Sequence, residues 1–473
     1  MVFSSLEFLF LYLPVTLLLY YAVPHKYLKW RNFVLFVVSL VFYGWGEPIY
    51  VFLMVFTIAV NYFCGWLLDI RMKKGDRAGA KKWMIMSVVV SLGILAFFKY
   101  YNFFVENLRL IPALSTLPMI EVTLPIGISF YTFQSMSYTL DLYMDNAKVQ
   151  TNFVSFGTYV TLFPQLIAGP IVRYQDVDDM LRERNENTAE FASGVRTFMA
   201  GLGKKILFAN TSGQLWETLR ATPASEQTVL GAWLGIIFYT FQIYFDFSGY
   251  SDMAIGLGKM FGFTFLENFN YPYIAKSITD FWRRWHMSLS TWFREYVYFP
   301  LGGSRKGEFN TYRNLFIVWF LTGFWHGASW NYILWGLFYF IVLVIEKVFL
   351  AKVMEKWPAW LCHVYTLFVV VIGWLLFVSE DMSAGIVYLK AMFGGSAGGI
   401  ISQSALYDLV RNLPFILILG VASTPAPKKL FYQLYEKHKW WRYVTAVGCA
   451  LLLVLCTGYL VDSSFNPFLY FRF

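Results

Sequence analysis

Long apolar stretches separated by short polar connections run through most of this chain. Ten of them approach the length of about 20 apolar residues that a helix needs to cross the hydrocarbon core of a bilayer. In chain order, these predicted spans are residues 6–23, 31–46, 48–68, 84–104, 228–247, 314–327, 329–346, 361–378, 410–423 and 443–461. Core helices of soluble proteins rarely need such runs, so the pattern predicts an all-α polytopic membrane protein.

Two further regions are apolar but interrupted. Between residues 124 and 216, and again between 248 and 300, proline, glycine and polar residues break the hydrophobic pattern. Such segments are tolerated at membrane depth only when they are buried in protein or line a cavity. We therefore predict tilted, broken or re-entrant segments there. With them the chain would have about 10–13 membrane segments, in one domain covering residues 1–473.

The composition agrees with a membrane protein. Hydrophobic residues make up 58% of the chain and charged residues only 14%, against about 25% charged in soluble domains. Aromatic residues reach 21%, which is typical of the aromatic belts at membrane interfaces. The four cysteines are scattered without a CxxC or CxxH pair, so neither a disulfide framework nor a zinc site is indicated. We expect no bound metal or cofactor.

The distribution of lysine and arginine predicts the orientation. Residues 71–82 carry six basic residues and one acidic residue, and residues 425–442 are also strongly basic. Both loops should be cytoplasmic by the positive-inside rule, which places the N-terminus and the C-terminus outside. The net charge of +9 is then explained mainly by topology and anionic lipid. Attraction of an acidic cytosolic acyl donor is the alternative explanation.

His326 is the leading functional candidate because it lies inside an apolar run. An ionisable side chain at membrane depth is costly and is a functional candidate by default. Histidine also exchanges protons near neutral pH. Gly323, Gly327 and Ala328 would let another backbone approach closely at a helix break, and Asn331 is a candidate orienting partner. A structural histidine bonded to a backbone carbonyl is the alternative interpretation.

A second histidine, His286, lies among charged and aromatic residues. The segment DFWRRWHMSLSTWFREYVYFPLGG is typical of an amphipathic helix, with Arg283 and Arg284 beside the histidine. Such a helix could anchor the chain at the interface. Alternatively it lines the active cavity, where the arginines would hold phosphate or carboxylate and His286 would position the substrate or tune His326.

Two carboxylates occupy a third polar stretch. Asp246 and Asp252 lie in FDFSGYSDMAIG, where unpaired charges would be costly. Pairing with Arg283 or Arg284 is the expected structural explanation, and direct catalysis by either aspartate is the alternative.

These segments carry a family resemblance. FDFSGYSDMAIG, NFNYPYIAKSITDFWRRWHMSLSTWFREYVYFPLGG and LTGFWHGASWNYILWG resemble the bacterial branch of the membrane-bound O-acyltransferase (MBOAT) family. That branch includes membrane subunits of alginate and exopolysaccharide O-acetylation and, as a related group, the D-alanyl transfer protein of teichoic acid modification. The resemblance implies tilted helices around a central funnel or tunnel that links a cytosolic donor to an outside acceptor. It places the family's invariant histidine on His326 and its second conserved polar position on His286.

The aromatic tail, residues 462–473, also resembles family features. DSSFNPFLYFRF is similar to the tails of alginate-type members and to the tyrosine-containing tail of a small partner protein in teichoic acid D-alanylation. The resemblance implies that Tyr470 is an acyl acceptor. A phenol, with a pKa of about 10, would then need a general base. A simple interfacial anchor is the alternative.

The favoured function is therefore an acyltransferase of the cell membrane. It would move an acyl group, preferably acetyl, from acetyl-CoA or an acyl-carrier thioester toward an exported polysaccharide, with a periplasmic or extracellular acetyltransferase as partner. His326 and His286 are the catalytic candidates, and Asn331, Asp246, Asp252, Arg283, Arg284 and Trp325 are the candidates for lining the cavity or positioning substrate. D-alanyl transfer to teichoic acid is the main alternative, and a non-enzymatic transporter is a further one.

Overall fold

The architecture is entirely helical in the part of the chain that the structure describes. The structure is a computed structural model that describes residues 1–462 and 468–469, and none of these residues lies in a β-strand. All ten predicted spans fall on helices. The prediction of an all-α polytopic protein is therefore confirmed.

The chain forms two compact units. The first comprises Met1–Phe198 with Tyr250–Leu266, and the second comprises Met199–Gly249 with Glu267–Phe473. Helices α9 (Thr188–Gly203) and α11 (Val229–Met260) contribute residues to both units.

The first unit contains eight further helices among the residues described. They are α1 (Leu13–Ala22), α2 (Leu28–Gly46), α3 (Tyr50–Lys73), α4 (Arg77–Arg109), α5 (Ile128–Tyr143), α6 (Phe153–Thr161), α7 (Phe163–Leu166) and α8 (Tyr174–Arg182). Helices α5 to α7 occupy the region where the hydrophobic pattern is interrupted. They have 16, 9 and 4 residues, and nearly all of their side chains are buried. The structure thus shows separate, buried helices where tilted, broken or re-entrant segments were predicted, and tilt and re-entry stay predictions.

The second unit contains the helices that carry the candidate site. They are α10 (Thr211–Arg220), α12 (Ile278–Trp282), α13 (Met287–Phe293), α14 (Glu308–His326), α15 (Trp330–Ile345), α16 (Ala351–Met354), α17 (Ala359–Val378), α18 (Met382–Met392), α19 (Gln403–Ala422), α20 (Ala426–Lys437) and α21 (Trp441–Asp462). In the described residues, four π-helical turns extend or precede these and other helices, namely Phe8–Tyr12, Lys204–Asn210, Arg294–Tyr298 and Glu346–Leu350.

Seven helices in the described residues are long and apolar enough to cross a membrane. They are Tyr50–Lys73, Arg77–Arg109, Val229–Met260, Trp330–Met354, Ala359–Val378, Gln403–Ala422 and Trp441–Asp462. Each of them overlaps a span predicted from the sequence. Two shorter apolar helices, Phe8–Ala22 and Met382–Met392, accompany them. The protein is therefore a multi-pass membrane protein.

Helices α14 and α15 form a tight antiparallel pair, which fixes the position of His326. A Cβ atom added to Gly323 would lie 2.4 Å from the backbone oxygen of Tyr332, and one added to Gly336 would lie 2.4 Å from that of Trp319. Only glycine allows the two backbones to approach this closely. The prediction that Gly323 permits a close backbone approach is thus confirmed, and the turn between the helices begins immediately after His326.

Candidate active site

His326 is the last residue of α14 and lies in an aromatic enclosure. Its side chain is only 3% exposed. The ring centroids of Trp325, Trp335 and Phe377 lie 5.1, 5.1 and 5.3 Å from that of the imidazole, with the rings nearly perpendicular. Edge-to-face contacts of this kind hold a ring in one orientation. The imidazole is thus fixed at a helix end and shielded from solvent.

Asn331 lies in the first turn of α15 and is connected to this enclosure through α17. Its Nδ2 donates a hydrogen bond of 2.8 Å to the backbone oxygen of Phe377, whose ring packs on His326. Its Oδ1 accepts no hydrogen bond from the residues described, although the side chain is fully buried. Asn331 therefore positions the aromatic wall beside His326, which is an indirect form of the orienting role expected from the sequence.

His286 lies at a break between two short helices. The prediction of one continuous amphipathic helix is wrong, because α12 ends at Trp282 and α13 begins at Met287. His286 has a left-handed backbone conformation with φ of 45°, which is uncommon for residues other than glycine and asparagine. The break turns the imidazole inward, where it is 2% exposed.

Asn268 holds this break together. Its Oδ1 lies 3.1 Å from His286 Nδ1 and accepts hydrogen bonds from the backbone and the hydroxyl of Ser288, at 3.2 and 2.9 Å. Its backbone oxygen accepts a hydrogen bond from Met287 N at 3.0 Å. One side chain thus orients the histidine and satisfies the first turn of α13. Since Oδ1 is an acceptor, the bond to the ring requires the proton on Nδ1.

Burial also fixes the charge of His286, which lies outside the seven candidate spans. Desolvation lowers the pKa of the His286 ring to about 3, because a buried imidazolium loses its hydration. The ring is therefore neutral at physiological pH, and its contacts are those of an uncharged imidazole.

Trp325 brings the two histidines into one neighbourhood. Its ring centroid lies 6.2 Å from the His286 ring and 5.1 Å from the His326 ring. The His286 ring also packs edge to face against the ring of Phe247, and their centroids lie 4.7 Å apart. The structure therefore joins His286, Trp325 and His326, three residues predicted from the sequence, with Phe247 of α11.

Asp246 precedes Phe247 and forms an ion pair that the sequence analysis did not predict. Lys205 Nζ lies 2.6 Å from Asp246 Oδ1, and the two side chains are 3% and 2% exposed. The expected pairing of Asp246 with Arg283 or Arg284 is wrong. Lys205 belongs to the π-helical turn Lys204–Asn210, and its side chain faces Asp246 of α11. Such turns are frequent at functional sites.

The other charged candidates are placed elsewhere. Arg284 pairs with Asp280 within its own segment, Nε to Oδ1 at 2.9 Å, because the two residues are one helical turn apart. Arg283 is exposed. Asp252 lies on the part of α11 that belongs to the first unit, so the expected pairing of Asp252 with an arginine of this segment has no support here.

The chain returns to this neighbourhood near its C-terminus. The backbone N–H of Leu469 donates a hydrogen bond of 2.9 Å to Asp246 Oδ2. Phe468 is buried, and Lys205 Nζ lies 5.9 Å from the centroid of its ring. Tyr470, the candidate acyl acceptor, lies outside the described residues.

Sequence reasoning missed four residues of this neighbourhood, namely Lys205, Phe247, Asn268 and Phe377. Lys205 stands in the run GLGKKILFAN, and a lysine inside an apolar run is a signal of the kind that singled out His326. Asn268 and Phe377 have no such local signal. In the described residues, no three His, Cys, Asp or Glu side chains converge as a metal site requires.

A basic cavity of about 580 Å³ opens elsewhere in the second unit. Its lining residues are Asn270, Tyr271, Ile274, Arg284, Pro425, Lys428, Lys429, Tyr432, Gln433 and Glu436. Three of these residues are cationic and one is anionic, and two of the cations, Arg284 and Lys428, also pair with Asp280 and Glu267. The cavity is thus suited to anionic groups.

Comparison with known proteins identifies the class of this enzyme. Residues 22–383 match the model of the MBOAT, membrane-bound O-acyltransferase family. The chain therefore belongs to this family and is a membrane acyltransferase.

Individual relatives refine the comparison. The chain is 40% identical to the probable alginate O-acetylase AlgI of Pseudomonas putida over 492 aligned residues, covering all of both chains. It is 32% identical to the peptidoglycan O-acetyltransferase of Helicobacter pylori, covering all of this chain and 98% of that protein. The similarity to the teichoic acid D-alanyltransferase of Bacillus subtilis is more limited, at 29% identity over 49% of this chain and 60% of that protein.

Proposed function

We propose that this protein is a membrane O-acetyltransferase that serves the O-acetylation of an exported polysaccharide. Relatives named as O-acetylating enzymes match the whole chain, whereas the D-alanyltransferase matches only half of it. The observation that carries the proposal is the fixed, buried His326 at the end of α14. A transporter would not need a general base held in this way.

The chemistry requires a base, an acyl thioester and a hydroxyl. His326 takes the proton of the attacking hydroxyl while the hydroxyl oxygen bonds to the acyl carbon. The carbon–sulfur bond then breaks, and the proton passes to the departing thiolate. His286 positions the substrate as a neutral imidazole. A backbone amide stabilises the oxyanion, because Asn331 donates to the backbone oxygen of Phe377 instead.

The first acceptor in this proposal is Tyr470, which carries the acetyl group toward the outside. The support is the position of its neighbour: Leu469 is bonded to Asp246, and the next residue of α11, Phe247, packs on His286. His326 would accept the phenol proton. The alternative is direct transfer to the final acceptor. A periplasmic or extracellular acetyltransferase partner completes delivery to sugar.

The donor is acetyl-CoA or an acyl-carrier thioester in the cytosol, and the protein lies in the cytoplasmic membrane. The basic cavity supports this side for the donor, because Lys428 and Lys429 belong to the basic segment 425–442. By the positive-inside rule that segment is cytoplasmic, and the N-terminus and the C-terminus are outside. The cations of the cavity would hold the donor's phosphates.

Mass spectrometry of the purified protein after incubation with acetyl-CoA tests the proposal. The native chain should gain an acetyl group on the peptide containing Tyr470, and both Tyr470→Phe and His326→Ala should lose this adduct. His438→Ala is the matched control, because His438 lies in the loop after α20 and lines neither the aromatic enclosure nor the basic cavity.

A second assay distinguishes the relay through Tyr470 from direct transfer to the final acceptor. It measures the release of free thiol from acetyl-CoA in parallel with the acetylation of an added polysaccharide. Thiol release without a Tyr470 adduct, still lost in His326→Ala, would leave the enzyme assignment in place and reject the relay. Unchanged thiol release and acetylation in His326→Ala would reject the role of His326 as base.

A further inference from the structure

Two short segments that hydrogen-bond to each other connect the basic cavity to His286. Residues 268–271 lie beside residues 284–287, and we call them the paired segments. The N–H of Asn270 donates a hydrogen bond of 2.9 Å to the backbone oxygen of Arg284, and both of these residues line the basic cavity. His286 belongs to the second segment and is buried. The wall of the cavity is therefore continuous with the backbone that carries this histidine.

The other end of the paired segments fixes the imidazole. The N–H of Met287 donates a hydrogen bond of 3.0 Å to the backbone oxygen of Asn268, and the side chain of Asn268 bonds the His286 ring. Between the two ends, the rings of Phe269 and Trp285 pack edge to face with their centroids 5.0 Å apart. Because close-packed interiors transmit strain, a displacement at the cavity wall would reach the imidazole through these contacts.

The backbone of the paired segments is strained at both of these places. Tyr271, which lines the cavity, has a φ of 47°, and His286 has a φ of 45°. Among the described residues other than glycine, Asp145 is the one further residue with a positive φ. Such conformations persist where the surrounding contacts enforce them, and they cluster at ligand clamps and switch regions. The paired segments therefore have the backbone expected of a part that responds to a bound ligand.

Arg284 is the side chain that joins these segments to the contents of the cavity. Its Nε bonds Asp280 Oδ1 at 2.9 Å, and its Nη1 donates to the backbone oxygen of Asn270 at 3.3 Å. Its Nη2 donates to no residue that the structure describes, and the side chain is 27% exposed at the cavity. A guanidinium presents its donors in a rigid fork, so an anion bound to Nη2 also orients Nε and Nη1.

A phosphate is the anion that this arrangement favours. Phosphate oxygens form charge-assisted hydrogen bonds with a guanidinium fork, and Lys429 adds a second cation to the same wall. The proposed donor carries phosphates, and the basic cavity is where we place them.

We propose that Arg284 is a positioning residue that couples a donor phosphate in the basic cavity to the alignment of the His286 imidazole. This inference rests on the proposed function for the identity of the donor and for the role of His286. It adds regulation to that site, because the bound donor tightens the hold on the imidazole before transfer begins.

The kinetics of thiol release from acetyl-CoA test this role. Arg284→Lys keeps the positive charge but replaces the fork by a single ammonium, which cannot bond Asp280, Asn270 and a phosphate in the same geometry. We expect kcat to fall roughly tenfold or more, since small misplacements are costly in catalysis, and KM to change by less than about twofold because the charge remains. Arg294→Lys is the matched control, because Arg294 pairs with Glu295 outside the basic cavity, and it should change neither constant.

Two kinetic results would overturn the inference. One is a native kcat in Arg284→Lys. The other is a raised KM with a native kcat, which would make Arg284 a simple phosphate ligand with no effect on His286.

Hydrogen–deuterium exchange distinguishes coupling from a loss of folded structure. It would be measured in phosphatidylcholine nanodiscs with and without CoA, which has the phosphates but no acyl group. CoA should slow the exchange of residues 268–290 in the native protein and in Arg294→Lys, but not in Arg284→Lys at saturating CoA. Equal protection in Arg284→Lys would contradict the coupling. Protection in phosphatidylglycerol nanodiscs without CoA, and none with CoA in phosphatidylcholine, would assign the cavity to a lipid headgroup and overturn the inference.

These outcomes are separable from those for acyl transfer. A native protein that releases thiol from acetyl-CoA but shows no protection by CoA would overturn this inference and leave the proposed function in place. Protection by CoA in a protein that releases no thiol would support the coupling and count against the proposed function.

Discussion

Lys205 and Asp246 form an ion pair inside the second unit, and Asp246 uses its two carboxylate oxygens for two different partners. Oδ1 faces Lys205 Nζ at 2.6 Å, and Oδ2 accepts the hydrogen bond from the backbone of Leu469. The same residue precedes Phe247, which packs on His286. One buried carboxylate thus connects a π-helical turn, the tail and the second histidine.

Removing the charge of Asp246 should therefore destabilise the protein. Asp246→Asn leaves the Lys205 ammonium buried without its counter-ion, which typically costs about 3–5 kcal/mol. We expect a clearly lower midpoint in thermal unfolding of the detergent-solubilised protein. Asp280→Asn is the matched control, since its ion pair with Arg284 is partly exposed and such pairs contribute about 0–1 kcal/mol. Equal midpoints for the two variants would contradict a buried, energetically important pair.

Two substitutions of His286 distinguish the effect of its backbone conformation on stability from the effect of its imidazole on activity. His286→Ala removes the bond from the ring to Asn268 and the ring contact with Phe247, and it leaves at φ of 45° a residue that adopts this conformation less readily than histidine. His286→Asn should keep more of the stability, because asparagine tolerates this conformation. We expect both variants to lose acyl transfer, with a higher unfolding midpoint for asparagine. Wild-type transfer rates in His286→Asn would mean that the imidazole is not needed.

The close approach of α14 and α15 predicts that Gly323 cannot be replaced by a residue with a larger side chain. Gly323→Ala would place its Cβ 2.4 Å from the backbone oxygen of Tyr332, so the helices must separate and His326 must shift. We expect a loss of folded protein, measured as monodisperse yield in size-exclusion chromatography, or of transfer activity where folding survives. Gly448→Ala in α21 has no neighbouring atom within 4 Å and should be neutral or slightly stabilising. An active, stable Gly323→Ala would show that this helix contact is looser.

The positive charge of the basic cavity should lower the KM for the acyl donor. Lys429→Gln removes one of its cations, so the KM for acetyl-CoA should rise roughly fivefold at low salt, equivalent to about 1 kcal/mol. The kcat should change little, and the difference should shrink as salt screens the interaction. Lys82→Gln, the same change in the other basic segment, near the start of α4, should leave KM unaltered. A salt-independent effect, or equal effects of both substitutions, would place the donor elsewhere.

The sequence predicted the parts of this structure that depend on local properties. Hydropathy over about 20 residues located the spans that correspond to α3, α4 and α11, and an ionisable residue in an apolar run singled out His326. Contacts between residues that are far apart in the sequence could not be predicted in the same way. Asp246 and Lys205 are far apart in sequence, and Lys205 reaches α11 through a π-helical turn that no propensity rule predicts.

The break at His286 shows the same limit. Its arginines and tryptophans have the spacing of an amphipathic helix, so local rules favour a continuous helix. The structure interrupts this helix because Asn268, on a preceding segment, supplies the hydrogen bonds that a helical backbone would otherwise provide. A cavity of about 280 Å³ lined by Arg220, Gln227 and Glu380 could not be predicted either, because its walls come from residues near 220 and near 380 that only tertiary packing brings together.

Helices α14 and α15 meet backbone to backbone at Gly323 and Gly336, and His326 ends the first of these helices. The imidazole therefore owes its position to a helix contact and not to a bound substrate. A molecule that wedged the two helices apart would displace the imidazole without competing with donor or acceptor. Raising the substrate concentration would not reverse such a displacement.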